Sequence, residues 1–214
     1  MTHLLHIKTS IFHDEGMSTI LTDQFAGPWL AADSSNVVTI RDLASAPIPH
    51  LDIDGFKAFV SPPDMRTPAQ SAIVQQSDIL IAELRAADIV LIDAPMYNLS
   101  VPSGLKAYLD YIVGAGETFQ YSPTGPIGLL PGKTAVIVST RGGIYGPDDD
   151  LVTAYLSQIC RFVGFSDLHF VYAEGLALGE GPRQEGIEAA EKQILAILDT
   201  LSVSTKSNDE MLVK

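Results

Sequence analysis

Asp88-Ile89-Val90-Leu91-Ile92-Asp93-Ala94-Pro95-Met96-Tyr97-Asn98 is a short apolar run that breaks at once into a Pro/Asn turn. A second run, Thr134-Ala-Val-Ile-Val138, ends the same way, in Ser139-Thr140-Arg141-Gly142-Gly143. Unbroken apolar runs of this length suit parallel strands covered on both faces. In open α/β sheets, ligands sit outside the carboxyl ends of such strands. The loop Thr9 to Ser18 follows an earlier run, Leu4 to Lys8. Three loops are thus placed to share one nucleotide-like ligand.

Outward from that stretch, strand-like and helix-like segments alternate. Ser18 to Ala31 reads as a helix with Ser18 as N-cap and Ile20, Leu21, Phe25 and Trp29 on its apolar face. Asn36 to Arg41 reads as a strand. Residues 44–66, rich in Pro and Asp, read as a surface excursion with a short helix near Phe56. Ser71 to Ala86 and Pro102 to Val113 read as helices, the second with Pro in its first turn. The segment Gly116 to Gly132 is polar and aromatic, and the long loops 44–66 and 114–132 argue for an enclosed small-molecule pocket. Asp149 to Val163 reads as a helix with Leu151, Tyr155, Leu156, Ile159 and Phe162 as its apolar set. Leu168 to Ala173 reads as a strand and Gln184 to Ser202 as a last helix. The alternation implies an α/β fold, a parallel sheet with helices on both faces. Five strands suit the flavodoxin-like order 2-1-3-4-5. Residues 1–203 are expected to form this one domain, and 204–214 a frayed polar tail.

The bulk composition narrows the function. Of 214 residues, 46% are hydrophobic and 18% charged, ordinary values for a globular chain. No apolar run is long enough to span a membrane, and the N-terminus lacks the pattern of a secretory signal. The single cysteine, Cys160, excludes an internal disulfide and suits the cytoplasm. A net charge of −13 argues against nucleic acid or an anionic membrane as partner. A phosphate would have to be held by backbone amides at a helix N-terminus.

Each loop has a chemical reading and a plainer one. Ser10, Gly16, Met17 and Ser18 could ring a phosphate with hydroxyls and amides, or the loop could be an ordinary capped turn. It lacks GxGxxG and GxxxxGK[ST], so neither a dinucleotide fold nor a P-loop is favoured. Met96 and Tyr97 after Pro95 offer a flat polarisable surface, and Asn98 can donate and accept, which suits the imide edge of a flavin. The alternative is a Pro-Asn turn with two core side chains. After Thr140 and Arg141, Gly142 and Gly143 let the backbone approach a ring, and their amides could stabilise negative charge at its pyrimidine edge. Otherwise they form a mobile glycine turn. No metal-ligand spacing and no GxSxG elbow occurs. The scattered histidines read as structural and Cys160 as a buried inert thiol. Close amides, aromatics and no acid–base pair fit a cofactor that carries the chemistry itself.

The segments Pro95–Asn98, Pro102–Asp110, Gly116–Tyr121, Gly125–Leu129 and Ser139–Gly143, with Ala173-Glu-Gly175, resemble the FMN-dependent NADH:azoreductases. These are also described as NAD(P)H:quinone oxidoreductases of flavodoxin-like fold. The resemblance runs from about residue 3 to residue 200. It implies a homodimer with one FMN per subunit at the dimer interface. NADH or NADPH would reduce the flavin at N5, leave, and be replaced by a quinone or azo acceptor. By position, Ser10 and Ser18 hold the phosphate, while Pro95 to Asn98 and Thr140 to Gly143 surround the isoalloxazine. Tyr121, with Phe119 nearby, shapes the substrate mouth, and Phe162 reaches the partner subunit's site. Two departures stand out. Gly16-Met17-Ser18 replaces the family's usual Ser-Gln-Ser, which implies FMN held more by backbone amides, or more weakly. Tyr145 stands where the family often has a histidine. A flavodoxin-like electron carrier is the alternative, and a hydrolase is a third class, disfavoured by the missing nucleophile elbow.

Overall fold

In a computed structural model the described residues are 1–146 and 150–212, with side chains described through Leu201. Five strands form one parallel sheet: β1 (His3–Lys8), β2 (Val37–Asp42), β3 (Ile89–Asp93), β6 (Thr134–Thr140) and β7 (Asp167–Ala173). They lie in the order β2-β1-β3-β6-β7, the expected 2-1-3-4-5 of the core. Side chains alternate along each strand and so fill two separate cores. On β3, Val90 and Ile92 join one core and Ile89 and Leu91 the other. The second core includes Leu21, Phe25 and Trp29 of α1 (Met17–Ala32) and Ala190, Ile194 and Ile197 of α6 (Glu180–Leu212). The first core takes side chains from α3 (Pro68–Ala86), α4 (Ser103–Ile112) and α5 (Leu151–Val163).

Local sequence sets the helix ends. Thr67 and Gln70 form a reciprocal capping box at α3, with Pro68 at its first position. Asp52 accepts from the Gly55 amide at the start of α2 (Ile53–Val60), the short helix expected near Phe56. Asp150 accepts from the Thr153 amide at α5, which ends on Gly164 at φ 110°, a left-handed conformation that glycine adopts without steric cost.

Several expectations need correction. Ser18 is not the N-cap of α1. That position is Gly16, with no side-chain cap bond, and Ser18 lies inside the first turn with 1% exposure. Ile20 is exposed rather than on the apolar face. The buried stripe of α5 is Val152, Leu156, Cys160 and Val163, while Leu151 is 58% exposed. The segment 116–132 is not irregular. It contains a hairpin of β4 (Phe119–Ser122) and β5 (Gly125–Gly128), paired antiparallel. The last helix extends to Leu212, beyond the expected end at Ser202. The expected helix start at Asp149, residues 213–214, and the side chains of the tail from 202 onward lie outside the described residues.

Candidate functional site

The carboxyl ends of β1, β3 and β6 form one edge of the sheet. At β1, a loop runs through a 3₁₀ turn (His13–Glu15) to Gly16. Ser10 closes it: its carbonyl accepts from the His13 amide at 3.1 Å, and its Oγ accepts from the Phe12 amide at 3.2 Å. Gly16 packs against Ser10 so tightly that a Cβ there would lie 2.1 Å from Ser10 Oγ. The first amides of α1, at Met17, Ser18 and Thr19, precede the first intrahelical donor, Ile20, and no side chain caps them. Ser18 Oγ is buried without a hydrogen-bond partner. Unused donors at a helix N-terminus are suited to an anion.

Beneath this loop lies a residue to which the sequence reading gave no role. Asp93, the last residue of β3, is 0% exposed. Its Oδ2 accepts from Thr19 Oγ1 at 2.7 Å and its Oδ1 from Thr9 Oγ1 at 3.0 Å. Burial pushes its carboxyl pKa up, against the pull of the Thr19 and Thr9 hydrogen bonds. Ser18 is close enough to add a weaker downward pull, though not in hydrogen-bond geometry. On β1, buried His6 is driven down to about 4 by desolvation, partly opposed by Asp23.

After β3, Pro95 is buried and the Met96 amide donates to the Thr140 carbonyl at 2.9 Å, which ties two of the loops together. Tyr97 and Ser100 exchange backbone bonds of 2.9 and 3.1 Å across a tight turn, with Asn98 and Leu99 at φ 50° and 66°. Asn98 is exposed, and Tyr97 Oη lies 3.4 Å from Ser10 Oγ. Thr9, Met96, Tyr97 and Asn98 line one wall of a groove of about 930 Å³; Leu43, Pro47 and His50 line the other. The 44–66 excursion therefore walls this groove, whereas the 114–132 segment does not reach it.

At β6, the Arg141 guanidinium does not point to a ligand. It is 3% exposed, bonds Asp150 at 2.7 Å, Thr153 at 3.1 Å and Glu174 at 3.3 Å, and lies 4.7 Å over the Tyr172 ring. Burial opposes ionisation of Asp150, but bonds from Thr153 and Arg141 outweigh it and hold the carboxyl below its usual range. The cluster anchors the Gly142-Gly143 turn. The carbonyls of Arg141, Gly142 and Gly143 accept from Leu176, Ala177 and Gly175. The Gly142 and Gly143 amides donate to no group among the described residues. The Tyr145 amide donates to Glu174 at 3.1 Å, and its ring lies against Gly143.

Phe119, Tyr121 and Phe162 come together, but elsewhere. Phe119 lies 5.2 Å from Tyr121 and 4.4 Å from Phe162, ring centre to ring centre. α4 carries the chain from the ligand edge to the opposite one, where Glu117 bonds Arg85 at the end of α3 and the Leu130 amide donates to Val163. Phe119 and Tyr121 thus cannot shape the mouth of their own subunit's groove. Cys160, 6% exposed, has its thiol pushed up to about 12 by burial, as an inert core residue should. No group of His, Cys, Asp and Glu among the described residues could hold a metal, and no helix there is long and apolar enough to cross a membrane.

Three loops at the carboxyl edge of a doubly wound sheet, two of them with donors unclaimed among the described residues, define a nucleotide-type binding protein. Comparison with known proteins narrows this. A family described by its flavodoxin-like fold matches residues 2–198, and the chain belongs to it. The FMN-dependent NADH:quinone oxidoreductase of Cellvibrio japonicus is 45% identical over 181 residues, covering 84% of this chain and 91% of that protein. FMN-dependent NADH:quinone oxidoreductase 2 of Pseudomonas putida is 39% identical over 198 residues, covering 92% and 100%. The crystal structure of an azoreductase from Bacillus anthracis matches with a TM-score of 0.86 at 26% identity, covering 94% of this chain and 100% of that one.

Proposed function

We propose that this chain is an FMN-dependent oxidoreductase that passes two electrons from NADH or NADPH to quinones or azo compounds by a ping-pong mechanism. One observation carries the reading. Amides at Met17 to Thr19 and at Gly142 and Gly143 that are unused among the described residues, with the orphaned Ser18 hydroxyl, belong to loops tied to the Met96–Asn98 wall of one groove, through Thr140 to Met96 and Ser10 to Tyr97. This donor set fits FMN. The α1 amides and Ser18, on a loop closed by Ser10, Gly16 and Met17, would hold a terminal phosphate. Pro95 to Asn98 would set the face and imide edge of the ring. Thr140 to Gly143 would bring amides to its pyrimidine edge, with Arg141 acting through the loop it anchors and Tyr145 beside Gly143. Bound FMN supplies the redox chemistry, and the protein's part is to position the ring, exclude water and stabilise charge. The names of the relatives that share 39–45% of the sequence support the same cofactor and the same class of acceptor.

A homodimer completes the reading. The cluster of Phe119, Tyr121 and Phe162 is at the wrong edge to serve its own groove, so a second copy would have to present it over the acceptor site. The one thiol suits a reducing compartment such as the cytoplasm. The electron-carrier alternative is less well supported, because the relatives of 39–45% identity are named as NADH:quinone oxidoreductases.

Steady-state kinetics test the mechanism. If one pocket serves donor and acceptor in turn, NADH and a soluble quinone give parallel double-reciprocal lines. Intersecting lines would require both to be bound at once and would contradict it.

A further inference from the structure

Asp93 is a buried carboxylate for which the proposed chemistry has no use. It sits at the end of the central strand, and both of its oxygens are bonded by threonines from the two ends of the loop 9–19. Thr9 Oγ1 also lies 2.8 Å from the Asp93 carbonyl, so this contact fixes the backbone as well. Thr19 belongs to the same first turn of α1 whose amides are unused among the described residues. The orphaned Ser18 hydroxyl lies in that turn too. Carboxylate and helix N-terminus are therefore adjacent, and anything anionic on those amides comes close to Asp93.

Among the described residues nothing basic neutralises this carboxylate. The titratable groups on the elements packed around it are His3, His6 and Lys8 on β1, His13, Asp14 and Glu15 in the loop, and Asp23 on α1. Lys8 Nζ is taken by Asp14 and Asp23, both at 3.1 Å, and His6 Nδ1 faces Asp23 at 3.8 Å. On the other side, β6 places Val138 in register with Asp93. Among the described residues the carboxylate is bonded by the two threonine hydroxyls, with the Thr9 backbone and the Ser18 hydroxyl close enough to add to their pull.

We propose that Asp93 is a positioning residue of the phosphate loop whose charge opposes the incoming phosphate, so that the loop binds a phosphate monoester best when Asp93 is protonated. The inference rests on the proposed placement of the FMN phosphate at the start of α1. Two anions at one helix terminus share a single favourable field and repel each other through a medium poorer in water than the bulk. The threonines keep the carboxyl in place in either protonation state, since hydroxyls can donate to the charged form and accept from the neutral one.

The test is FMN binding to apoprotein by flavin fluorescence quenching, from roughly pH 5.5 to 8.5, in wild type, Asp93→Asn and Asp93→Ala. Riboflavin, which lacks the phosphate, is titrated in parallel. Ionisation of free FMN, with a second phosphate pKa of about 6, is common to all three proteins, so the ratio of wild-type to variant Kd reports the effect of the Asp93 charge on the complex. That ratio should rise with pH to about tenfold or more and fall toward unity on acidification, while the riboflavin ratio stays flat. Calorimetry of the wild type in buffers of different ionisation enthalpy should show proton uptake on FMN binding; riboflavin should show none. This needs no variant to fold. Parallel pH profiles with no proton uptake would overturn the role of Asp93. Weaker binding by both variants at every pH would reduce it to a structural clamp. If Asp93→Asn, freed of the opposing charge, binds riboflavin as tightly as FMN, the phosphate is not at this loop, and the underlying placement fails with it.

Discussion

Ser18 shows how a single residue can separate fold from function. A buried hydroxyl without a partner costs stability, so Ser18→Ala should leave the melting temperature of the apoprotein unchanged or slightly raised. The same change removes a donor to a charged phosphate, worth about 1.5–3 kcal/mol, so FMN affinity should fall about tenfold or more. An FMN titration beside a thermal melt without flavin reads both. Affinity and stability falling together would mean that the hydroxyl supports the fold instead. His6 carries a pH prediction. Its folded pKa is about 4 against an ordinary 6.5, so the unfolded chain binds more protons between those values. Stability is free of this penalty above pH 6.5 and falls as pH drops toward 4, by about 3 kcal/mol in total. Asp93, with its pKa raised, works in the opposite direction over the window just above the ordinary carboxyl value. Urea melts of wild type and His6→Leu at neutral and acid pH should diverge, with the wild type losing more. Equal losses would mean that His6 is not the buried neutral group described.

At the scale of elements, much was legible because the signals were local and periodic. The run 88–93 could only be a buried strand, and the Pro/Asn and Gly/Gly punctuation after the two apolar runs marked the ligand edge. The N-terminus of α1 was misread because serine is a strong N-cap residue. Here Gly16 takes the position because Ser10 packs where any side chain would stand. Of the apolar set expected on α5, Tyr155, Leu156, Ile159 and Phe162 pack on the core and only Leu151 does not. Leu151 and Val152 are equally apolar, and only the packing decides which of them faces the core. The hairpin 119–128 was missed because Pro123, Pro126 and its glycines hide the alternation. Asp93 was passed over because a carboxylate ending an apolar run reads as a solvated strand end; its two threonine partners are distant in sequence. The hairpin also carries a prediction. Gly128 lies against the backbone of Gly164, and a Cβ there would sit 2.2 Å from the Gly164 nitrogen. Because neither backbone can yield easily, Gly128→Ala should cost about 2 kcal/mol or more, roughly 4–8 °C in Tm. A melt that matched the wild type would show that the contact is loose.

Taken as a whole, the molecule sets an acidic chain against an anionic cofactor. The net charge of −13 opposes FMN at long range, so binding must come from short-range amides, hydroxyls and the α1 dipole. That division explains how the ligand edge can work without a basic patch: Arg141 is fully engaged in its ion cluster, and Lys8 in its own. It also explains why the loops are so closely tied to one another, through Met96 to Thr140 and Tyr97 to Ser10. The central claim is that these loops form a working FMN site, and the visible absorption spectrum tests it most directly. Apoprotein titrated with FMN, freed of excess flavin and held without oxygen should remain yellow, bleach on addition of NADH or NADPH, and regain its colour when a quinone is added. FAD should not substitute, because the loop after β1 has no dinucleotide fingerprint. A protein that retains no flavin, or one whose bound flavin neither pyridine nucleotide bleaches, would contradict the account.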